Sequence, residues 1–588
     1  MPEYQYMSLS VERRDIRLLT LLPGKYNDAI CFDLVHRHLI PPETVSNSKR
    51  LSIKELQNTL QSDWTVYETL EGRYLLYQNE IDTGCWVHPD PNYDHELYKP
   101  SHEDPDPDYE PKYEALSYTW GSMQDPETAY VQDSPTLVQD TEKTLETLLI
   151  GHNLACALRH LRYPNATRTL WVDALCINQK DEKERNDQVK RMGLIYKLAS
   201  RVIVWLGPEE KNSKLSISTM QNFGQMFEYS VDNWFLRSPD SSTELHWFDP
   251  NCELPYDEET WLALTAFFSR PWFCRLWVFQ EIQLANKNAL VLCGHDEILW
   301  YHLRRAILMM YQKIGIPQEL KGPLQIANRT ARRGIGASLE ELLATSAERQ
   351  CTDPRDKLYG ILSIAPPLFA SRIQPNYSLS ATEVYKDAFL THLHLVNRLD
   401  VLRLCKLEGN QDKGPSWLPN WFAPGNIAFQ TTSGNRAAGL SQAQVQYTSP
   451  NILNATGVQY ATICTVSNPI SGHTEDAINT IHEWEPEGLL TAEYITGGTL
   501  LDAYLSVLRL NSFKDRYPVS HYTTLQVCRE AYLRHDRESA TLGTKSMIGD
   551  IRVDWLRGAS FATTDEGYIG LVPSTAQPST FQEKFVKM

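Results

Sequence analysis

The stretch Leu170–Gly207, LWVDALCINQKDEKERNDQVKRMGLIYKLASRVIVWLG, leaves this chain little choice of core. Thr169–Val172 is a short β-rich run and Asp173–Asp181 an acidic loop. From Glu184 to Ser200, Val189, Met192, Tyr196 and Ala199 recur at spacings of three and four, a stripe that packs a helix on a sheet. Val202–Leu206 is β-rich again and stops at Gly207-Pro208. The order predicts strand, loop, amphipathic helix and strand, which is one βαβ unit.

Neighbouring segments extend the pattern. Tyr113–Tyr118 predicts a strand ending in Trp120-Gly121, followed by a loop to about 140 and a helix over Leu154–Leu161. Helices are predicted near 257–268 and 275–286, then a buried strand at Ala289–Cys293. Strands alternating with helices give an α/β fold with a doubly wound, mostly parallel sheet in the N-terminal half. Ligands of such sheets bind beyond the carboxyl ends of the strands. Trp120-Gly121, Asp173–Asp181 and the loop after Leu206 therefore belong on one rim.

At 588 residues the chain exceeds a single core and is divided into segments. Residues 1–40 read as an N-terminal hairpin and 41–112 as a polar, partly disordered insertion. Residues 113–300 form the α/β domain, with 208–256 an irregular surface excursion. Helices dominate 301–440, and 441–588 is a mixed α+β region.

Bulk chemistry excludes several classes. The formal charge is −17 with no block of Lys or Arg, so a phosphate backbone would be repelled and nucleic acid is not an expected partner. The 11 cysteines are scattered singly, without the CxxC or Cys/His spacing of a zinc site, and read as free thiols; no metal or cofactor is expected. No apolar run is long enough to span a bilayer and the N-terminus is too polar for a signal peptide, which predicts a cytoplasmic protein. GxSxG, GxGxxG and P-loop motifs are all missing.

Two positions carry candidate chemistry. In RPWFCRLWVFQEI, Arg270–Ile282, a helix starts near Cys274 and places Trp277 and Glu281 one turn apart on one face. A carboxyl beside an indole is partly desolvated and favours its neutral form, while Arg275 opposes that. From the residues alone Glu281 reads first as an acidic helix residue paired to Arg275, with the tryptophans as core. Asp173 closes a strand on the rim, and Asp181, Glu182 and Glu184 complement a helix dipole. In Cys351–Ala365 (CTDPRDKLYGILSIA), Asp353, Pro354 and Asp356 make a helix start.

Together YEALSYTWG, WVDALCINQKD, YKLASRVIVWLG and the Trp-x-x-x-Glu helix resemble the heterokaryon-incompatibility (HET) domain of filamentous fungi, whose core is distantly similar to TIR domains. DPRDK, SWLPNW (Ser416–Trp421) and GYIGL (Gly567–Leu571) resemble strings of longer HET proteins. The resemblance implies self/non-self recognition that triggers programmed cell death on clustering. In TIR domains that hydrolyse NAD, the glutamate of such a helix is catalytic, which maps onto Glu281. Trp120, Gly121, Asp173 and Trp277 would then hold NAD as substrate. Cleaving the nicotinamide–ribose bond releases a neutral pyridine, so one carboxylate suffices where O-glycosidases need two. The alternative implied by the same family is a non-catalytic death-signalling adaptor that self-associates or binds another incompatibility protein. The insertion at 208–256 departs from a compact TIR pattern.

Overall fold

A computed structural model describes residues 1–41, 50–81, 83–99, 109–132, 145–231, 235–238, 247, 252–313, 315–405, 414–422, 441–448, 451–471, 474–513, 515, 523–535, 556, 558–578 and 584–587. The chain divides into two compact units. The first comprises Met1–Ala337, Glu348–Ala370 and Gln374–Ser378; the second comprises Ser338–Ala347, Ser371–Ile373 and Leu379–Met588.

The first unit begins with the predicted hairpin: β1 (Asp15–Leu21) pairs antiparallel with β2 (Cys31–His38). Residues 50–99 hold more structure than a polar insertion predicts. A short helix α1 (Ile53–Gln57) packs near β3 (Trp64–Glu68), which pairs with β4 (Tyr74–Gln78) and, through it, β5 (Thr83–Cys85). Leu56, Val66, Tyr74 and Tyr98 give this piece a small core of its own. The disorder expected toward its end falls largely on residues 100–108, outside the described residues.

Among the described residues the main sheet has nine strands. After β6 (Glu114–Tyr118) come β7 (Glu127–Gln132) and β8 (Leu145–Ile150), strands where the sequence predicts a loop. Helix α2 (His152–Leu161) leads to β9 (Arg168–Trp171), the short α3 (Asp173–Cys176), α4 (Glu182–Leu198) and β10 (Arg201–Trp205). The excursion over 208–256 is also more regular than expected. It contains α5 (Ser213–Gln225), whose Ile217, Met220, Phe223 and Gly224 are buried, and a two-stranded ribbon of β11 (Phe227–Tyr229) and β12 (Phe235–Arg237). Then follow α6 (Glu258–Phe268), α7 (Trp277–Gln283), the hairpin β13 (Leu290–Cys293) and β14 (Asp296–Leu299), α8 (Trp300–Met310) and α9 (Gln318–Ala331).

Strand order across the sheet is β14-β13-β10-β6-β9-β1-β2-β7-β8. Its centre is a parallel ladder, β13 on β10, β10 on β6 and β6 on β9. In chain order those four strands run second, first, third, fourth, a doubly wound α/β arrangement that reverses direction between β6 and β10. Antiparallel hairpins flank the ladder, so the sheet is parallel at its centre and mixed at its margins. Trp171, Trp205, Tyr118 and Tyr196 are among the largest fully buried side chains.

Helix α4 is set by its first turn. The Asp181 carboxylate accepts from the backbone N–H groups of Lys183 and Glu184, the N-cap the sequence predicts. Replacing Asp181 with alanine is expected to cost about 1 kcal/mol, read as a small fall in thermal unfolding temperature. Glu184 does something else: its carboxylate is held by the Arg17 guanidinium (2.5 and 2.9 Å) and by the Asn178 N–H (2.7 Å). Arg17 lies in the middle of β1 with no exposure at all.

In the second unit, helix Ala381–Val396 opens on a Ser380/Glu383 capping box. Ile470, Trp484, Tyr504 and Phe561 lie in a separate core, beside a sheet of Ile569–Pro573, Ala559–Thr564, Val458–Val466 and Lys584–Lys587. Among the described residues no helix is long and apolar enough to cross a membrane. Of the 11 cysteines, Cys156, Cys176, Cys293 and Cys528 are buried, fewer than the apolar runs around them suggest.

Candidate functional site

Two features sit at the carboxyl ends of the parallel strands. One is a buried cluster of ionisable groups around the end of β6. Helix α7 packs against β6 and against α4, and this brings Glu281 to Ser117, Tyr118 and Tyr196. Glu281 is 2% exposed, and its Oε2 has no hydrogen-bond partner among the described residues. Burial pushes its carboxyl up to about 7, against the pull of the Arg275 charge and the Ser117 hydroxyl. Gln280, the preceding residue, is buried, and both its amide atoms lack a hydrogen-bond partner among the described residues.

Asp173 joins the same cluster from the end of β9. Its Oδ2 accepts from the Trp120 indole N–H at 2.8 Å and its Oδ1 from the Ala174 N–H at 2.7 Å. Burial raises this carboxyl too, while Arg275 and Trp120 draw it back. Arg275 ion-pairs with neither carboxylate among the described residues; its guanidinium donates to the Tyr118 carbonyl. The phenols of Tyr118 and Tyr196 are raised by burial, so they stay protonated donors at neutral pH.

Of the five residues singled out from sequence, Glu281, Asp173 and Trp120 converge here. Trp120 remains 40% exposed and forms the cluster's outer edge. Gly121 turns the chain just beyond it with φ +73°, a backbone setting that favours glycine. Trp277 goes elsewhere. Its indole N–H donates to Asp356 Oδ2 at 3.0 Å, and Asp356 Oδ1 accepts from the Tyr377 hydroxyl at 2.6 Å. The DPRDK string thus anchors the helix that carries Glu281, a role beyond a helix start. Burial raises the Asp356 carboxyl to about 6. Ser117, Tyr118 and Tyr196 complete the cluster without a local signal in the sequence: tyrosines in an apolar run read as core, and a lone serine within a strand carries no pattern.

The second feature is a cavity of about 1130 Å³ at the point where the sheet reverses between β6 and β10. Thr119 and Gly121 line it from just past the end of β6, Leu206 and Gly207 from just past the end of β10, and Asn153 from α2. It continues along α6 to Arg270 and Pro271. Gly207 sits at φ +115°, and a Cβ there would fall 2.9 Å from Arg270 Nη1. Neither Glu281, which is buried, nor Asp173, which is partly exposed, lines this cavity.

The family model for heterokaryon incompatibility protein (HET) matches residues 113–281. The chain carries a HET domain. That domain runs from the start of β6 to Glu281 on α7 and so takes in both the buried cluster and the β6–β10 cleft. The chain is also 27% identical over 420 residues to heterokaryon incompatibility protein 6, OR allele, of Neurospora crassa. The alignment covers 60% of each protein, so the chain spans about 60% of the length of this curated relative. No solved structure matches the chain.

Proposed function

We propose that this HET-domain protein acts in heterokaryon incompatibility, and that its HET domain signals by association with a partner or with itself rather than by cleaving NAD. The Neurospora crassa relative and the family match support the incompatibility role. The observation that carries the non-catalytic form is the enclosure of Glu281: a carboxylate 2% exposed and absent from the cleft has no room for a nucleotide sugar beside it. The cytoplasm is the compartment this reading assigns, and death of the fused cell the outcome.

NAD hydrolysis is the second reading, and a specific observation favours it. An unpartnered buried carboxylate oxygen next to an unpartnered buried glutamine is costly in a purely structural helix, and perturbed acids gather at functional sites. Under this reading association opens the cluster, Glu281 stabilises the oxocarbenium-like state, and Trp120 and Asp173 hold the substrate. The TIR-like core belongs with it.

Expression in a filamentous fungus with the chain fused to an inducible dimeriser separates the two. The association reading expects growth arrest of equal strength from wild type and Glu281→Gln. Arrest by wild type alone would favour hydrolysis, and arrest by neither would count against the incompatibility role.

A further inference from the structure

The cleft between β6 and β10 has a chemistry of its own. Its apolar lining includes Leu206, Ala266 and Leu262, the last 64% exposed on α6. A single open leucine is ordinary on a surface. Leu262, however, is set in the wall of a concave cavity at the reversal point of a doubly wound sheet, where ligands of such sheets bind.

The charges around it are uneven. Glu210, Glu258 and Glu259 line the cleft, with Lys211 and Arg270 as the cations. Arg270 is committed to the Leu206 carbonyl from Nη1 (2.9 Å) and the Pro208 carbonyl from Nη2 (3.0 Å). Glu259 accepts from the Asn212 amide at 2.8 Å, an uncharged donor. None of the three carboxylates is ion-paired among the described residues, which leaves them facing one uncommitted cation. Acids in the first turn of α6 complement its dipole, so alone they signify nothing. Joined to an apolar cavity and to Glu210 in the same lining, they tilt the cleft toward negative charge. Arg270 keeps its charge, so the balance is three carboxylates against two cations, a modest negative bias.

We propose that this cleft docks a partner segment that presents aliphatic side chains flanked by lysine or arginine. The proposal rests on the association reading and names the surface that performs it. Leu262 and Ala266 cover the aliphatic groups, and the three carboxylates pair with the flanking cations. Because those pairs are at the solvent edge, added salt weakens the complex.

The test pans a random peptide library against the full chain and then titrates the enriched peptide, fluorescently labelled, into wild type and variants. The expected enrichment joins Leu, Ile, Met or Phe with neighbouring Lys or Arg. Leu262→Asp, exposed enough to leave the melting curve unchanged, is expected to weaken the enriched peptide by about ten-fold or more. Glu258→Lys with Glu259→Lys is expected to shift the preference to acidic flanks. No enrichment, enrichment of acidic sequences, or affinity unchanged in Leu262→Asp would each overturn the proposal. Loss of growth arrest in Glu281→Gln would instead overturn the association reading, whatever the peptide result.

Discussion

Glu281→Gln is expected to raise the thermal unfolding temperature at pH 7 to 8 and to leave it nearly unchanged at pH 4. In the folded chain the Glu281 carboxyl is lifted from its ordinary 4.5 to about 7 because it is buried. Between those values the folded state holds a proton that the unfolded state has released. Stability therefore falls as pH rises through this window. Fully expressed above the folded value, the cost is roughly 3 kcal/mol. Glutamine keeps the shape and removes the charge, so it relieves that cost at neutral pH and nothing at low pH. Unfolding temperatures of both proteins across the range check it. Parallel curves would show that Glu281 is solvated or fully paired, and the enclosed cluster would be wrong.

Arg17→Ala is expected to destabilise the chain by about 3–5 kcal/mol, because it strands a charge rather than merely removing a contact. Arg17 is fully buried in β1 and binds Glu184, whose carboxylate is itself almost closed to solvent. The same guanidinium donates to the carbonyls of Cys176 and Met7, so it ties β1, the N-terminal segment and the loop before α4 together. Without it Glu184 is left with one backbone donor, the Asn178 N–H. Arg17→Ala with Glu184→Ala removes both charges and is expected to cost less than the two single changes added together. Thermal or denaturant unfolding of the three variants gives the coupling directly. A strictly additive result would mean that the pair does not interact.

The parts of the fold legible in the sequence are those with local period. The stripe at Val189, Met192 and Tyr196 gave α4 within two residues, and the apolar run Val202–Leu206 gave β10 within one. The rim followed from strand ends: Trp120 and Asp173 are hydrogen-bonded there, and the loop after Leu206 lines the cleft. What escaped was either weakly patterned or remote. ETAYVQ at β7 alternates too faintly to outweigh the polar loop around it, and the serines of α5 have modest helix propensity. Partners far apart in the chain were invisible: Arg17 and Glu184, Trp277 and Asp356, Glu281 and the hydroxyls of Ser117 and Tyr196. The exposure of Glu281 depends on all of these elements closing around it, so no local string reports it.

NAD consumption by the purified full chain, alone and when forced to cluster, tests the central claim most directly. With Glu281 enclosed and the open cleft lined by carboxylates, no NAD loss is predicted beyond that of a Glu281→Ala control in either condition. NAD loss by the clustered wild-type chain that disappears in both Glu281→Ala and Glu281→Gln would contradict it and establish hydrolysis at this cluster.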